Sequence, residues 1–206
     1  MGLAALWVLA VAQSVTFRVH EQGVVRQWLF GSQRFRYSEV DTFTYSAVRQ
    51  YVKGVYSGTR FTLTFAALAG GKLKKLTYSR NLRNVDAELE HLRDSVSQMI
   101  AQRMAAQFAQ GRAVIWTDGL RFLPEGLEYR AAGLLGRKAP VMIPYSQISG
   151  YDANQGTYWL WIHGRKKPVV KENMALPNFF PGYVFLPRLL SMLPATIRAA
   201  EEVAAR

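Results

Sequence analysis

The residues of this chain whose type and spacing suit chemistry are cations, and the chemistry they offer is electrostatic. Lys72, Lys74 and Lys75 fall in one short run, and Lys72 and Lys74, two positions apart, share a face if that run is a strand. Arg34 and Arg36 repeat the spacing, and Arg165, Lys166 and Lys167 form a third cluster. Cations beside apolar loop tips dock on anionic lipid, each contributing about 1 kcal/mol near the surface. The same lysines have a plainer use, since lysine on an edge strand discourages pairing with another chain. An aromatic strand beside cations can also stack single-stranded nucleic acid, and Tyr158 to Trp161 has that composition. Trp159 and Trp161 share one face, however, which suits the filling of a small β core, so nucleic acid is not the expected partner.

Other chemistry is largely excluded. The chain has no cysteine, hence no disulfide, thiolate nucleophile or cysteine metal site. His20, His91 and His163 lie far apart in sequence, and none has a second histidine at metal-ligand spacing. No phosphate-binding glycine loop, nucleophile elbow or zinc-protease helix motif occurs. Asp118, Glu125 and Glu128 would be the only acid/base set to consider, and carboxylates in turns are normally just solvated. No catalytic residue, cofactor or metal is therefore expected. With 26 basic and 14 acidic side chains the balance is +12, which draws the chain toward anionic lipid or an acidic protein partner.

The elements that must hold these cations read as antiparallel β-structure. Residues 15–20, 24–30, 33–37, 40–45, 61–65 and 72–78 have strand character, with Gly70-Gly71 as a hairpin turn. Residues 46–58, with two glycines, Arg49 and Lys53, read as a mobile basic loop. The period then changes: Leu82, Val85, Leu89, Leu92, Val96 and Met99 recur at helical steps, Asn84 and Glu88 offer capping chemistry, and Gly111 suits a helix stop. Strands at 114–116, 120–123, 127–130, 141–143, 157–162 and 169–171 follow, with a loop at 133–140. A helix over 183–193 and a short one after Pro194 close the chain, and Asn178 reads as a local helix N-cap.

The order repeats. Phe35 to Val40 and Met142 to Ile148 both contain Tyr-Ser-(Glu/Gln), each after a Glu and Gly turn. Gly23 stands 14 residues before Tyr37, and Gly126 stands 19 before Tyr145. Gly58 pairs with Gly156 and Gly71 with Gly164 in the same order. The expected fold class is therefore α+β, as a duplicated module over 15–110 and 111–206. Before it lies an apolar segment, residues 1–14, too short alone for a membrane span of about 20 residues. That segment reads as the tail of a membrane helix begun upstream, an interfacial anchor, or a helix packed on the fold.

A strand meander closed by one helix and then repeated resembles tandem pleckstrin-homology-like (PH-like) domains, in which a bent antiparallel sheet forms a partly open barrel. Gly111 to Trp116, Ile143 to Ile148 and Leu176 to Phe180 resemble three landmarks of an uncharacterised bacterial family, the DUF6585-type proteins, with Tyr145 where tryptophan is usual. The resemblance covers roughly residues 15–193 and implies no activity. It implies a membrane hairpin before the first module, of which residues 1–14 would be the remnant. The expectation is thus a non-enzymatic binding module, membrane-associated and otherwise cytoplasmic, whose partner is a protein or an anionic membrane. A soluble scaffold with residues 1–14 packed on the fold is the other expectation.

Overall fold

The computed structural model describes residues 16–83, 87–133 and 136–192. The apolar segment 1–14, the cap at Asn84 and the terminal helix after Pro194 lie outside them. In the first half, β1 (Thr16–His20), β2 (Gly23–Trp28) and β3 (Gly31–Arg36) form one sheet. A 3-10 turn at Tyr37–Glu39 leads into β4 (Thr42–Val52), β5 (Val55–Ala69) and β6 (Lys72–Leu82), a second sheet, and then α1 (Ala87–Ala109). The second half builds a four-stranded sheet from β7 (Val114–Ile115), β8 (Leu120–Leu123), β9 (Gly126–Tyr129) and β12 (Val141–Ile143). The short strands β10 (Ala132–Gly133) and β11 (Gly136–Arg137) pair within the expected 133–140 loop. A second 3-10 turn, Tyr145–Gln147, precedes β13 (Ile148–Asn154), β14 (Thr157–Ile162), β15 (Val170–Asn173) and α2 (Phe179–Met192). The fold is α+β, and the strand pairings of the described residues are antiparallel. The sheets stay separate and none closes into a barrel.

The two Tyr-Ser turns perform the same task. Tyr37 donates its hydroxyl to the His20 carbonyl at 2.9 Å, and Tyr145 donates to the Leu123 carbonyl at 2.8 Å. His20 pairs with Gly23 and Leu123 with Gly126, so the two acceptors are matching residues of matching hairpins. A Cβ on Gly23 would lie 2.2 Å from the Phe35 carbonyl oxygen, and one on Gly126 would lie 2.5 Å from that of Ile143, two residues before each tyrosine. Burial pushes the Tyr37 phenol up to about 12 and lifts Tyr145 likewise.

Three expectations need correcting in the three-stranded sheets. Residues 46–58 are not a loop: β4 and β5 continue through them to a tight turn at Lys53 and Gly54, with φ of 49° and 81°. Positive φ at both central residues marks the mirror-image turn whose twist suits a hairpin. Gln155 and Gly156, at 49° and 77°, make the same turn between β13 and β14, so the counterpart of Gly156 is Gly54 rather than Gly58. Gly58 instead sits at the bulge opposite Gln50. On β14 the inward face is Tyr158 and Leu160, both 0% exposed, while Trp159 and Trp161 are half-buried on the other side.

One core runs through both halves. Phe43, Phe61, Leu63, Phe65 and Leu76 of the second sheet meet Leu89, Leu92, Val96, Ile100 and Met104 of α1, spaced as one helical face requires. Gly111, at φ 71°, ends α1. Phe108 of α1 contacts Tyr145 and Phe185 of the second half, and Arg93 lies over the rings of Tyr45 and Phe180, 5.3 and 5.0 Å away.

Asn178 is a further tie between the halves, and its side chain bonds the first half rather than serving as the expected local cap. It pairs with the open edge of β4 as a strand residue would: its N–H donates to the Phe43 carbonyl at 2.7 Å, its side-chain oxygen accepts from the Phe43 N–H at 2.9 Å, and its amide donates to the Asp41 carbonyl at 3.2 Å. Its φ of 58° suits asparagine better than alanine. Asn178→Ala is expected to lose about 1–3 kcal/mol in urea unfolding, from the stranded backbone groups and the positive φ. Asn178→Gly relieves only the φ cost, so equal stability of Asn178→Gly and wild type would remove the hydrogen bonds from this account.

Candidate functional site

The first-half cations stand on the outer surfaces of its two sheets. Strand alternation puts Phe35 inward and leaves Arg34 and Arg36 exposed on β3. β6 is an edge strand, and Lys72, Lys74 and Lys75 are all exposed on it. Arg34 and Lys74 come together at a cleft of about 310 Å³, lined also by Ser38, Glu39, Asp41 and Leu68. Arg165, Lys166 and Lys167 occupy the turn between β14 and β15, in solvent, at the place that corresponds to the β5–β6 turn in strand order. Positive charge is unevenly divided: residues 16–83 carry twelve of the 26 basic side chains and three of the 14 acidic ones, hence nine of the twelve net charges.

Beside these cations stand apolar side chains that the strand reading alone misses. Leu68 and Leu73 face each other across the β5–β6 hairpin and are 68% and 71% exposed. Trp28, Leu29 and Phe30 form the β2–β3 turn, with Phe30 at 77%. Tyr51, Val52, Val55 and Tyr56 are exposed at the β4–β5 tip. A signal for one of these is in the sequence, since three successive apolar residues ahead of the turn glycine Gly31 break the usual polar turn chemistry.

Of the three carboxylates, Asp118 and Glu128 have cation partners, while Glu125 is exposed in the turn between β8 and β9. Glu128 lies 3.1 Å from Arg130 and 3.9 Å from Arg121. Asp118 pairs with Arg137, whose guanidinium continues to Glu172 at 3.0 Å and to the Arg130 carbonyl at 3.1 Å. Glu172, 6% exposed on β15, is a buried acid that the sequence reading passes over. Burial raises its carboxyl above the usual range, with Arg137 pulling it back. One cation set between two acids joins β15 to β11. A groove of about 410 Å³ between the halves contains Asp41 and Arg103, but both are committed to backbone: Asp41 to the Leu68 N–H, and Arg103 to the Ser38 and Val40 carbonyls. Among the described residues no three His, Asp or Glu side chains gather as a metal site, and no helix is long and apolar enough to cross a membrane. No protein-family model and no curated protein matches the chain.

Proposed function

We propose that the chain is a non-enzymatic binding module that docks on an anionic membrane surface through its first-half sheets. The observation that carries this reading is the β5–β6 hairpin, where exposed Leu68 and Leu73 stand among Lys72, Lys74 and Lys75. Lysines alone would serve to protect an edge strand. Two exposed leucines at the same tip do the opposite, and an apolar–anionic boundary suits both. The uneven charge of the first half gives that surface its long-range attraction.

The same proposal includes two PH-like modules, residues 15–110 and 111–206, of the DUF6585 type. It is supported by the matched Tyr37 and Tyr145 turns, the matched hairpins, and a helix after the β4–β6 sheet and after the β13–β15 sheet.

The test uses the full chain with phosphatidylcholine vesicles, with and without phosphatidylglycerol. Binding is expected only with the anionic lipid, and it fades as salt rises. Lys72→Glu/Lys74→Glu/Lys75→Glu loses about a hundredfold or more in affinity, from about 1 kcal/mol per lysine. Equal binding to neutral vesicles, or no binding to either, would sink the reading and direct the search to a protein partner.

A further inference from the structure

The Trp28–Phe30 turn is the longest unbroken run of exposed large apolar side chains among the described residues, and nothing in the lysine hairpin requires it. Trp28 pairs with Gly31, and its ring lies against that glycine, 3.0 Å from where a Cβ would stand. The indole is thus folded over the turn as a platform, while Leu29 and Phe30, 55% and 77% exposed, sit at the apex. A two-residue hairpin turn is ordinarily given to Gly, Asn or Asp, because those residues suit both its backbone and water. Here leucine and phenylalanine occupy it at the cost of solvent-exposed apolar area.

The turn stands beside the lysine strand. Gln33 donates its side-chain amide to the Lys75 carbonyl at 3.1 Å, on the open edge of β6. Gly31 is two residues from Gln33, about 7 Å of strand. Arg26, two residues before Trp28, adds a cation on the other arm of the hairpin. The opposite apolar tip, at Val52 and Val55, lies at the far end of β5, whose 15 residues extend about 46 Å. One flat surface that receives the Lys72–Lys75 tip end-on therefore leaves the Val55 tip in water.

We infer that Leu29 and Phe30 insert below the head groups of an anionic bilayer, with Trp28 at the interface and the lysines of β6 held at head-group level. This rests on the membrane reading above and deepens it: it gives the docked orientation and the residues that penetrate. Tryptophan prefers the interface because its ring is apolar and its N–H is polar. The cations supply attraction without depth, and the turn supplies depth without charge.

The absence of cysteine makes the test direct, since an introduced thiol is the sole labelling site. Phe30→Cys and Val55→Cys carry an environment-sensitive fluorophore on the full chain. Each is mixed with phosphatidylglycerol vesicles holding nitroxide quenchers on head groups or along acyl chains. The expected result is a blue-shifted probe at position 30, quenched most by acyl-chain nitroxide, and an aqueous probe at position 55. Because a cysteine itself removes the phenylalanine, Leu29→Ser/Phe30→Ser is measured separately, and its affinity falls about tenfold per residue. An aqueous probe at position 30 on bound protein overturns the insertion and leaves the charge reading intact. A probe already blue-shifted before lipid is added places the turn under the protein's own chain, and overturns it too. Absence of any vesicle binding fails the membrane reading itself, and the insertion with it.

Discussion

Gly182→Ala is expected to lower the unfolding free energy by about 2–4 kcal/mol, although the same exchange in an open helix gains about 1 kcal/mol. Gly182 faces the indole of Trp116, and a Cβ there would lie 2.0 Å from the ring. That indole cannot yield cheaply. It is fully buried, stacked on Phe122 at 5.1 Å with an interplanar angle of 7°, and its N–H donates to the Phe179 carbonyl at 2.8 Å. Pushing it out loses the hydrogen bond and the stack together, and α2 must lift from the sheets. For a chain of this size that loss lowers the melting temperature by about 5–12 °C. Trp116→Leu/Gly182→Ala tests the cause. If the collision is the reason, adding the alanine to a Trp116→Leu background costs much less than adding it to wild type. An equal cost in both backgrounds would put the effect elsewhere in α2.

Arg137→Ala is expected to cost about 3–5 kcal/mol at neutral pH, because it leaves Glu172 buried without its cation. The penalty depends on pH, and the sign follows from the direction of the Glu172 shift. Burial already raises this carboxyl in the folded protein, and Arg137 opposes the rise, so removing the arginine raises it further. A carboxyl raised on folding binds its proton more tightly in the native state than in the unfolded chain. Its contribution to stability is therefore fully present below the unfolded glutamate range and is lost as pH rises through the folded value. The deficit of Arg137→Ala should shrink in acid and be largest at neutral pH. Glu172→Gln in the same background removes the charge and flattens the dependence. Urea unfolding at two pH values reads this directly, and an unchanged deficit in acid would mean that lost packing, not an orphaned carboxylate, is responsible.

Gly119 belongs to the same arrangement. A Cβ there would meet Glu172 at 2.3 Å and the Arg137 guanidinium at 2.7 Å, so the ion pair fills the space a side chain would take. Such a cluster is hard to read from a chain in which Asp118, Arg137 and Glu172 are separated by tens of residues. The same holds for Asn178, whose partners Asp41 and Phe43 lie more than a hundred positions earlier. Trp159 and Trp161 show a subtler limit. Their shared face follows from strand geometry, but which face turns inward is set by what packs against the sheet, and here Trp116, Phe179 and Tyr183 pack against Tyr158.

The sequence by itself determined the features that neighbouring residues settle among themselves. Alternation marks residues 40–45 and 61–65, the inner parts of β4 and β5, β-prone side chains mark β14, helical spacing places Leu89, Leu92 and Val96 on one face of α1 although Leu82 of the same pattern ends β6, Gly111 stops that helix, and Gly70 with Gly71 turns the β5–β6 hairpin. The repeated Tyr-Ser turn is legible as a repeated string, whereas its hydrogen bonds, which reach back 17 and 22 residues to His20 and Leu123, are not. The lysines and arginines are legible as charges, but not the leucines and the phenylalanine exposed beside them. Apolar side chains at Leu68, Leu73 and Phe30 look like core until the sheets leave them without cover. Exposure, the tie through Asn178, the buried ion pair and the fit of Trp116 on Gly182 were decided only by the tertiary structure. Each depends on which surfaces meet across the chain, and local pattern carries no information about that.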